Sequence, residues 1–254
     1  MRLLKILFLL FTLVSVAGCS SLAAKDETAG WSAKKLYDEA TQALQGKDWE
    51  QAIKYYETLQ ARYPFGVYAK QALLDSAYAY YKYGEPESAI ATADRFIKLH
   101  PLSPEVAYAY YLKGLANFYR GRDFLDPILP HDPSQGDTDA MRQAFQDFTT
   151  IIKKYPQSRY VDDARRRAMY LRNLVAESEL NIAHYYMERG AYVAVVNRCS
   201  HIVQNFEGSK YVPKALALMV QAYRKLGDDK LAEDTERVLR LNTPQAGSKA
   251  ATGG

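Results

Sequence analysis

Apolar side chains recur at three- and four-residue intervals from Trp31 to Leu241, with hardly any strand-like alternation, so this stretch predicts helices throughout. Proline punctuates the pattern. Tyr63-Pro64, His100-Pro101, Tyr155-Pro156 and Thr243-Pro244 each read as the close of a helix, because proline lacks the amide hydrogen and clashes with the preceding turn. Twelve residues before each proline stands an alanine: Ala52, Ala89, Ala144 and Ala232. Five before stands Leu59, Phe96, Ile151 or Leu239, and eight before, the first and third units carry the aromatics Tyr56 and Phe148. Ala40 and Ala77 lie twelve residues ahead of the first two alanines. A further unit lacks the proline but keeps the frame, with Ala183, Tyr186, Val195, Ile202 and then Phe206-Glu207.

Small residues where two antiparallel helices touch, large ones that plug the gap to the next pair, and a proline after the second helix make up the tetratricopeptide (TPR) pattern. The expected fold is all-α, a TPR-type solenoid of about five helix-turn-helix repeats over residues 31–241, with N-terminal repeats to about 156 and C-terminal repeats from 157. Gly46-Lys47-Asp48, Gly84-Glu85-Pro86, Gly190 and Gly227-Asp228-Asp229 supply turns between helices. The prolines of the second and third units are farther apart than those of the first two. The excess falls at Gly121–Asp139, rich in Asp, Pro and Gly, which reads as a long loop centred on Phe124, Leu125, Ile128 and Leu129. A second excess follows Pro156, where Val161 to Ala183 can run as one extended helix. Asp162, Asp163 and Arg165-Arg166-Arg167 at its start read as Asp162/Arg166 and Asp163/Arg167 pairs on a solvated face rather than as a phosphate site.

The ends locate the chain. Met1-Arg2-Leu3-Leu4-Lys5 and the apolar run Ile6–Val16 form a signal peptide, too short to span a bilayer. Val16-Ala17-Gly18-Cys19 is a lipobox, so cleavage after residue 18 and acylation of Cys19 with S-diacylglycerol and N-palmitoyl groups are expected. Ser20 and Ser21 follow in place of a retention aspartate, which directs the anchor to the periplasmic face of the outer membrane. Residues 19–30 read as a flexible tether and 242–254 as a disordered tail. The formal charge of +4 shrinks to +2 once Arg2 and Lys5 leave with the signal, which gives no electrostatic case for nucleic acid. Cys199 is then the one remaining thiol and reads as a small buried apolar residue.

Candidate chemistry is sparse. His100, His131, His184 and His201 form no metal-binding spacing, and no nucleophile motif or phosphate loop occurs, so neither catalysis nor a metal or other cofactor is expected. The 21 tyrosines are more informative. Counting back from the prolines places Tyr37, Leu44, Leu74, Tyr78 and Tyr81 on the first helices of their units. Tyr108, Tyr111, Leu115 and Phe118 follow by counting from Gly114. In a TPR these positions line the concave groove, with Lys82 on its rim. The spacing leaves each side chain between two places, the groove wall or the helix–helix interface. As a set they predict an apolar, aromatic face suited to an extended, aromatic-rich segment.

Arg62-Tyr63-Pro64-Phe65-Gly66-Val67-Tyr68, Ala79-Tyr80-Tyr81-Lys82, Asp94-Arg95-Phe96-Ile97 and, most specifically, Glu188-Arg189-Gly190-Ala191-Tyr192-Val193-Ala194-Val195-Val196-Asn197-Arg198 resemble the BamD (YfiO/ComL) family of TPR lipoproteins of the outer-membrane β-barrel assembly machinery. The resemblance covers about residues 16–241; the 121–139 loop and the tail match poorly, and Glu207 stands where the family pattern has proline. It implies binding of the BamA POTRA domains through the C-terminal repeats, with Glu188, Arg189 and Arg198 on that side. It also implies capture of the C-terminal β-signal of unfolded outer-membrane proteins by the N-terminal repeats, with Tyr63 and Phe65 on that side, and contact with BamC and BamE in some bacteria. The competing class, a periplasmic TPR adaptor for cell-wall or pilus assembly, differs only in lacking these family-specific runs.

Overall fold

The computed structural model describes residues 26–120 and 138–243. Ten helices occur among the described residues: α1 (Ala33–Gln45), α2 (Trp49–Arg62), α3 (Ala69–Tyr83), α4 (Pro86–Leu99), α5 (Val106–Tyr119), α6 (Thr138–Lys154), α7 (Val161–Glu188), α8 (Tyr192–Asn205), α9 (Val212–Leu226) and α10 (Asp229–Asn242). They pair antiparallel as five repeats, each helix packing on the next in sequence, and first helices of successive repeats also touch where α3 meets α5 and α7 meets α9. The odd-numbered helices therefore form an inner layer and the even-numbered ones an outer layer. The signal peptide and Cys19 lie outside the described residues, as do 121–137 of the expected loop and 244–254 of the tail. Asp139, expected in that loop, instead sits in the first turn of α6, where a carboxylate favours the helix N-terminus. The extended helix runs five residues past Ala183, to Glu188.

The repeat frame explains the core. The alanine slot twelve residues before the helix-ending proline is closed to solvent in every repeat: Ala52, Ala89 and Ala144 are fully buried, Val195 takes the slot in the fourth repeat, and Ala232 in the fifth. The slot eight residues before is filled by Tyr56, Ala93, Phe148 and Cys199, all inaccessible. Cys199 is thus a core filler, and burial pushes its thiol up to about 12. In the last repeat that slot holds Glu236, partly exposed and paired with Arg224 at 3.0 Å, which suits an end with no following repeat. Apolar side chains gather in four local clusters, each sealing one outer helix between two inner ones.

Large fillers need room. Phe148 lies against Gly114, where a Cβ would come within 2.8 Å of the ring. One polar group enters the core with its charges matched. Lys113 bridges Asp94 at 2.9 Å and Asp147 at 3.3 Å, and Asn117 donates to Asp147 at 3.0 Å, tying α4, α5 and α6. Burial lifts the Asp147 carboxyl to about 6, against the pull of Lys113 and Asn117.

Between repeats the chain repeats itself closely. In each of the four loops from outer to inner helix, the same two backbone bonds form: Gly66 to Tyr63 and Ala69 to Gly66, Ser103 to His100 and Val106 to Ser103, Ser158 to Tyr155 and Val161 to Ser158, Ser209 to Phe206 and Val212 to Ser209. The fourth loop keeps this geometry although Glu207 replaces proline, and Arg172 on α7 donates to its carbonyl at 2.8 Å. Within the first repeat the left-handed residue is Lys47, not Gly46. The expected tether is shorter at its C-terminal end: residues 26–30 form a turn in which Thr28 is buried, because Arg62 donates to Thr28 O at 2.6 Å and to Thr28 Oγ1 at 2.9 Å and pairs with Asp26. Substituting Gly114→Ala should lower stability by about 1–3 kcal/mol through overpacking against Phe148, measured as a fall in urea midpoint, with helical content unchanged.

Candidate functional site

The inner layer carries a cleft of about 910 Å³ between α3, α5 and the loop that leads into α7, lined among others by Gln71, Leu74, Asp75, Tyr108, Lys154, Tyr155, Arg159 and Tyr160. Helical periodicity sets its wall. Gln71, Leu74, Asp75 and Tyr78 share one face of α3, while Ala69, Leu73, Ser76 and Tyr80 share the opposite one. Tyr160 is the centre of the aromatic wall: its ring stacks on Tyr108 at 5.2 Å and on Tyr111 at 4.7 Å. Arg159 reaches back to donate to the Tyr160 hydroxyl at 2.6 Å, with its guanidinium 4.9 Å from the ring centre. Tyr111 donates to Asp163 at 2.8 Å, and Arg167 holds the same carboxylate at 2.5 Å. Burial first, then the neighbouring Asp163, pushes the Tyr111 phenol up to about 12, so it stays a neutral donor.

Next to the cleft, Tyr37 donates to Asp75 at 3.1 Å and stacks on Tyr68 at 5.2 Å. Gln71 donates to the other Asp75 oxygen at 2.8 Å. Burial raises the Asp75 carboxyl above its ordinary range, with the Gln71 and Tyr37 bonds opposing. Burial, followed by Asp75, takes the Tyr37 phenol up to about 12. The arrangement is a half-buried tyrosine wall in which the bordering Tyr37 and Tyr111 hydroxyls are held on carboxylates and that of Tyr160 on Arg159, with Lys154 and Arg159 at its α6–α7 end. Apolar rings and oriented hydroxyls suit an extended aromatic segment, and with Asp75 and Glu105 also lining the cleft, a negative group on that segment would find its partners only at the Lys154–Arg159 end.

The structure therefore divides the expected groove residues. Tyr108 lines the cleft and Tyr111 and Tyr37 border it. Tyr78 shares that face of α3 but meets Trp49 edge-on at 6.2 Å. Tyr81 packs toward Tyr119 at 6.2 Å, and Lys82 lies near the far end of α3, 6.0 Å from the centre of the Trp49 ring. The cations lining the cleft are instead Lys154 and Arg159. Leu115 is a core residue, and Leu74, though buried, forms part of the cleft lining. Tyr63 ends α2 and donates to Trp31 O at 2.9 Å, while Phe65 lies on the outer side of α3, lining a separate cavity of about 260 Å³ with Leu73, Arg95 and Leu99. Periodicity points to helix positions and so does not reach Tyr160, at the end of a loop. A signal was there: Tyr68, Tyr160 and Tyr211 hold the same place in three of the four loops.

At the far end of α7, in the fourth repeat, Glu188 closes the helix and is exposed, and Arg189 lies 4.4 Å from the centre of the Tyr185 ring. Arg198 turns inward with one nitrogen and donates to Glu179 at 2.7 Å. Glu179, only 1% exposed, also takes a bond from Arg142 at 3.1 Å. One buried carboxylate thus joins α6, α7 and α8. Its place among Val175, Ala176, Leu180 and Ala183 at core spacing was the sequence sign of a paired buried charge. The Glu179 bond raises the Arg198 guanidinium further, keeping it cationic. The run Arg165-Arg166-Arg167 is paired too, though in a shifted register: Asp162 meets Arg165 at 3.3 Å rather than Arg166, and Asp163 holds both Arg166 and Arg167. The side chain one turn on, i+3, faces the carboxylate as well as i+4 does.

The family model described as YfiO, outer membrane lipoprotein, matches residues 30–239 of this chain. Outer membrane protein assembly factor BamD of Neisseria meningitidis is 39% identical over 246 residues, which cover 95% of this chain and 92% of the relative. The proteins of the same name from Xylella fastidiosa and Vibrio cholerae are 37% and 34% identical, covering 93% and 92% of this chain and 81% and 96% of their own. Among solved structures, that of MamA shares 18% identity at a TM-score of 0.34 over 82% of this chain and 89% of its own, too loose a likeness to bear on the fold.

The Arg142–Glu179–Arg198 cluster makes a separable prediction. Arg142→Ala or Arg198→Ala alone should cost about 1 kcal/mol or less, since one arginine still covers the carboxylate. The double variant leaves a buried charge unpaired and should lose roughly 3–5 kcal/mol, more than the sum, in chemical denaturation. Additive losses would mean the two arginines act independently.

Proposed function

Because the chain belongs to the YfiO family of outer membrane lipoproteins, we propose that it serves outer-membrane protein assembly as a lipid-anchored TPR scaffold that binds two polypeptides at two places. Cys19 carries the acyl chains and holds the protein on the periplasmic face of the outer membrane. The cleft around Tyr108 and Tyr160 receives the last strand of an unfolded barrel protein. The C-terminal repeats, through Glu188, Arg189 and Arg198, hold the POTRA domains of BamA. BamC and BamE are further partners where an organism has them.

The observation that supports this reading most is the coincidence of a family match over nearly all the described chain with a tyrosine-walled cleft flanked by Lys154 and Arg159. A barrel strand ends in alternating aromatic residues and a free carboxylate. The rings would lie on Tyr108 and Tyr160, burying apolar area at about 25 cal/mol per Å², and the carboxylate would pair with Lys154 or Arg159. Side chains of an extended segment alternate in direction, so every second aromatic faces the wall. No chemical step is required: the cleft holds one end of a substrate while the fourth repeat, beyond it along the chain, holds the insertase.

Titration of the lipid-free chain with a peptide of alternating aromatic sequence and a free C-terminus tests the cleft. Tyr108→Ala and amidation of the peptide should each weaken binding by about tenfold; a scrambled peptide that binds equally well would sink the cleft reading. For the other end, Arg198→Ala should keep the fold and weaken capture of the BamA POTRA domains several-fold, and undiminished capture would remove Arg198 from that interface.

A further inference from the structure

The four loops between repeats share one backbone geometry, yet their tips carry different chemistry. Two residues after the position that ends the outer helix stand Phe65, Leu102, Gln157 and Gly208, and four residues after it stand Val67, Pro104, Arg159 and Lys210. The first two loops are therefore apolar at their tips and the last two polar or basic. The apolar tips are not core: Phe65 is 100% exposed, Leu102 97% and Val67 90%. Leu99, at the end of α4, joins Phe65 in lining one shallow cavity, so the first two loops adjoin. Packing leaves this patch without an explanation, since loops with the same backbone bonds and polar tips occur twice in the same chain.

The same edge is where the lipid tether leaves. Arg62, immediately before the first loop, clamps Asp26 and Thr28, and Tyr63 donates to Trp31 O, so the chain departs beside Phe65. Six residues lie between Cys19 and Asp26, a reach of at most about 25 Å over the seven steps when fully extended. The apolar tips are confined to the two loops next to this point.

We propose that Phe65, Val67 and Leu102, with Leu99 behind them, are a second contact with the bilayer, dipping into its interface. The inference rests on the reading that Cys19 is acylated. Several acyl chains already retain the protein on the membrane, so these side chains need contribute little affinity. Their effect is orientation. The short tether keeps them at high effective concentration next to lipid, where a weak interfacial partition suffices to turn this edge toward the bilayer. The polar third and fourth loops stay in water, which leaves the C-terminal repeats open to protein partners.

Full-length lipidated protein on vesicles of phosphatidylethanolamine and phosphatidylglycerol tests this. An environment-sensitive fluorophore is placed on Leu102→Cys, on Phe65→Cys and, as reference, on Gln157→Cys in the corresponding polar loop; buried Cys199 leaves labelling specific. The probes at 65 and 102 should shift to the blue and be quenched several-fold more strongly by spin-labelled lipid than the probe at 157. Protein that floats with vesicles while all three probes stay equally in water overturns this inference alone. Protein that does not float overturns the acylation reading and this inference with it. Shielding of 65 and 102 that arises only on adding BamA, without lipid quenching, shows a protein-docking surface and also overturns it.

Discussion

Close approach of antiparallel helices is the constraint on which the molecule depends. An alanine or valine at one fixed slot of every repeat is shut off from solvent, and its small size lets the two backbones come together. Everything around that slot adjusts in volume. Tyr56 and Phe148 fill the next slot where there is room, Ala93 and Cys199 where there is less, and Phe148 fits only because its opposing residue is Gly114. Interiors pack at crystal density, so one methyl at Gly114 is felt where a surface change would not be.

Because each outer helix is sealed between two inner ones, the core is a row of local clusters rather than one centre. Such a scaffold leaves the inner face of each first helix half-buried, and tyrosine suits that position with an apolar ring and a hydroxyl that can reach a carboxylate. Tyr37 on Asp75 and Tyr111 on Asp163 are the two cases beside the cleft. The carboxylates hold phenols in place, and the phenols, raised by burial, remain donors across physiological pH. Further along, Glu179 joins three helices with two arginines, so the passage from the third to the fourth repeat is bound by charge as well as by apolar contact.

Variation is confined to what the repeat does not need. The inter-repeat loops keep their backbone bonds through proline, through Glu207, and through tips as different as Phe65 and Gly208. This freedom lets one architecture present an apolar edge at its first two loops, an aromatic cleft inside and a charged cluster in its fourth repeat, with no change of fold.

The sequence by itself determined the period, the number of repeats and the core slots, because a helix writes its buried face into residue spacing and each repeat closes its own core locally. Ala52, Leu59, Phe96 and Cys199 were legible for that reason. What spacing cannot carry is the meeting of residues from different helices. Tyr160 between Tyr108 and Tyr111, Glu179 between Arg142 and Arg198, and Asp75 under Tyr37 are joined across some 19 to 52 positions of chain. The side of α3 on which Phe65 lies, the distance of Lys82 from the cleft, and the turn that fastens Asp26 to Arg62 were likewise decided only by tertiary packing. Rotation of one repeat against the next directs those side chains, and that rotation arises from the summed fit of the interfaces rather than from any local pattern of residues.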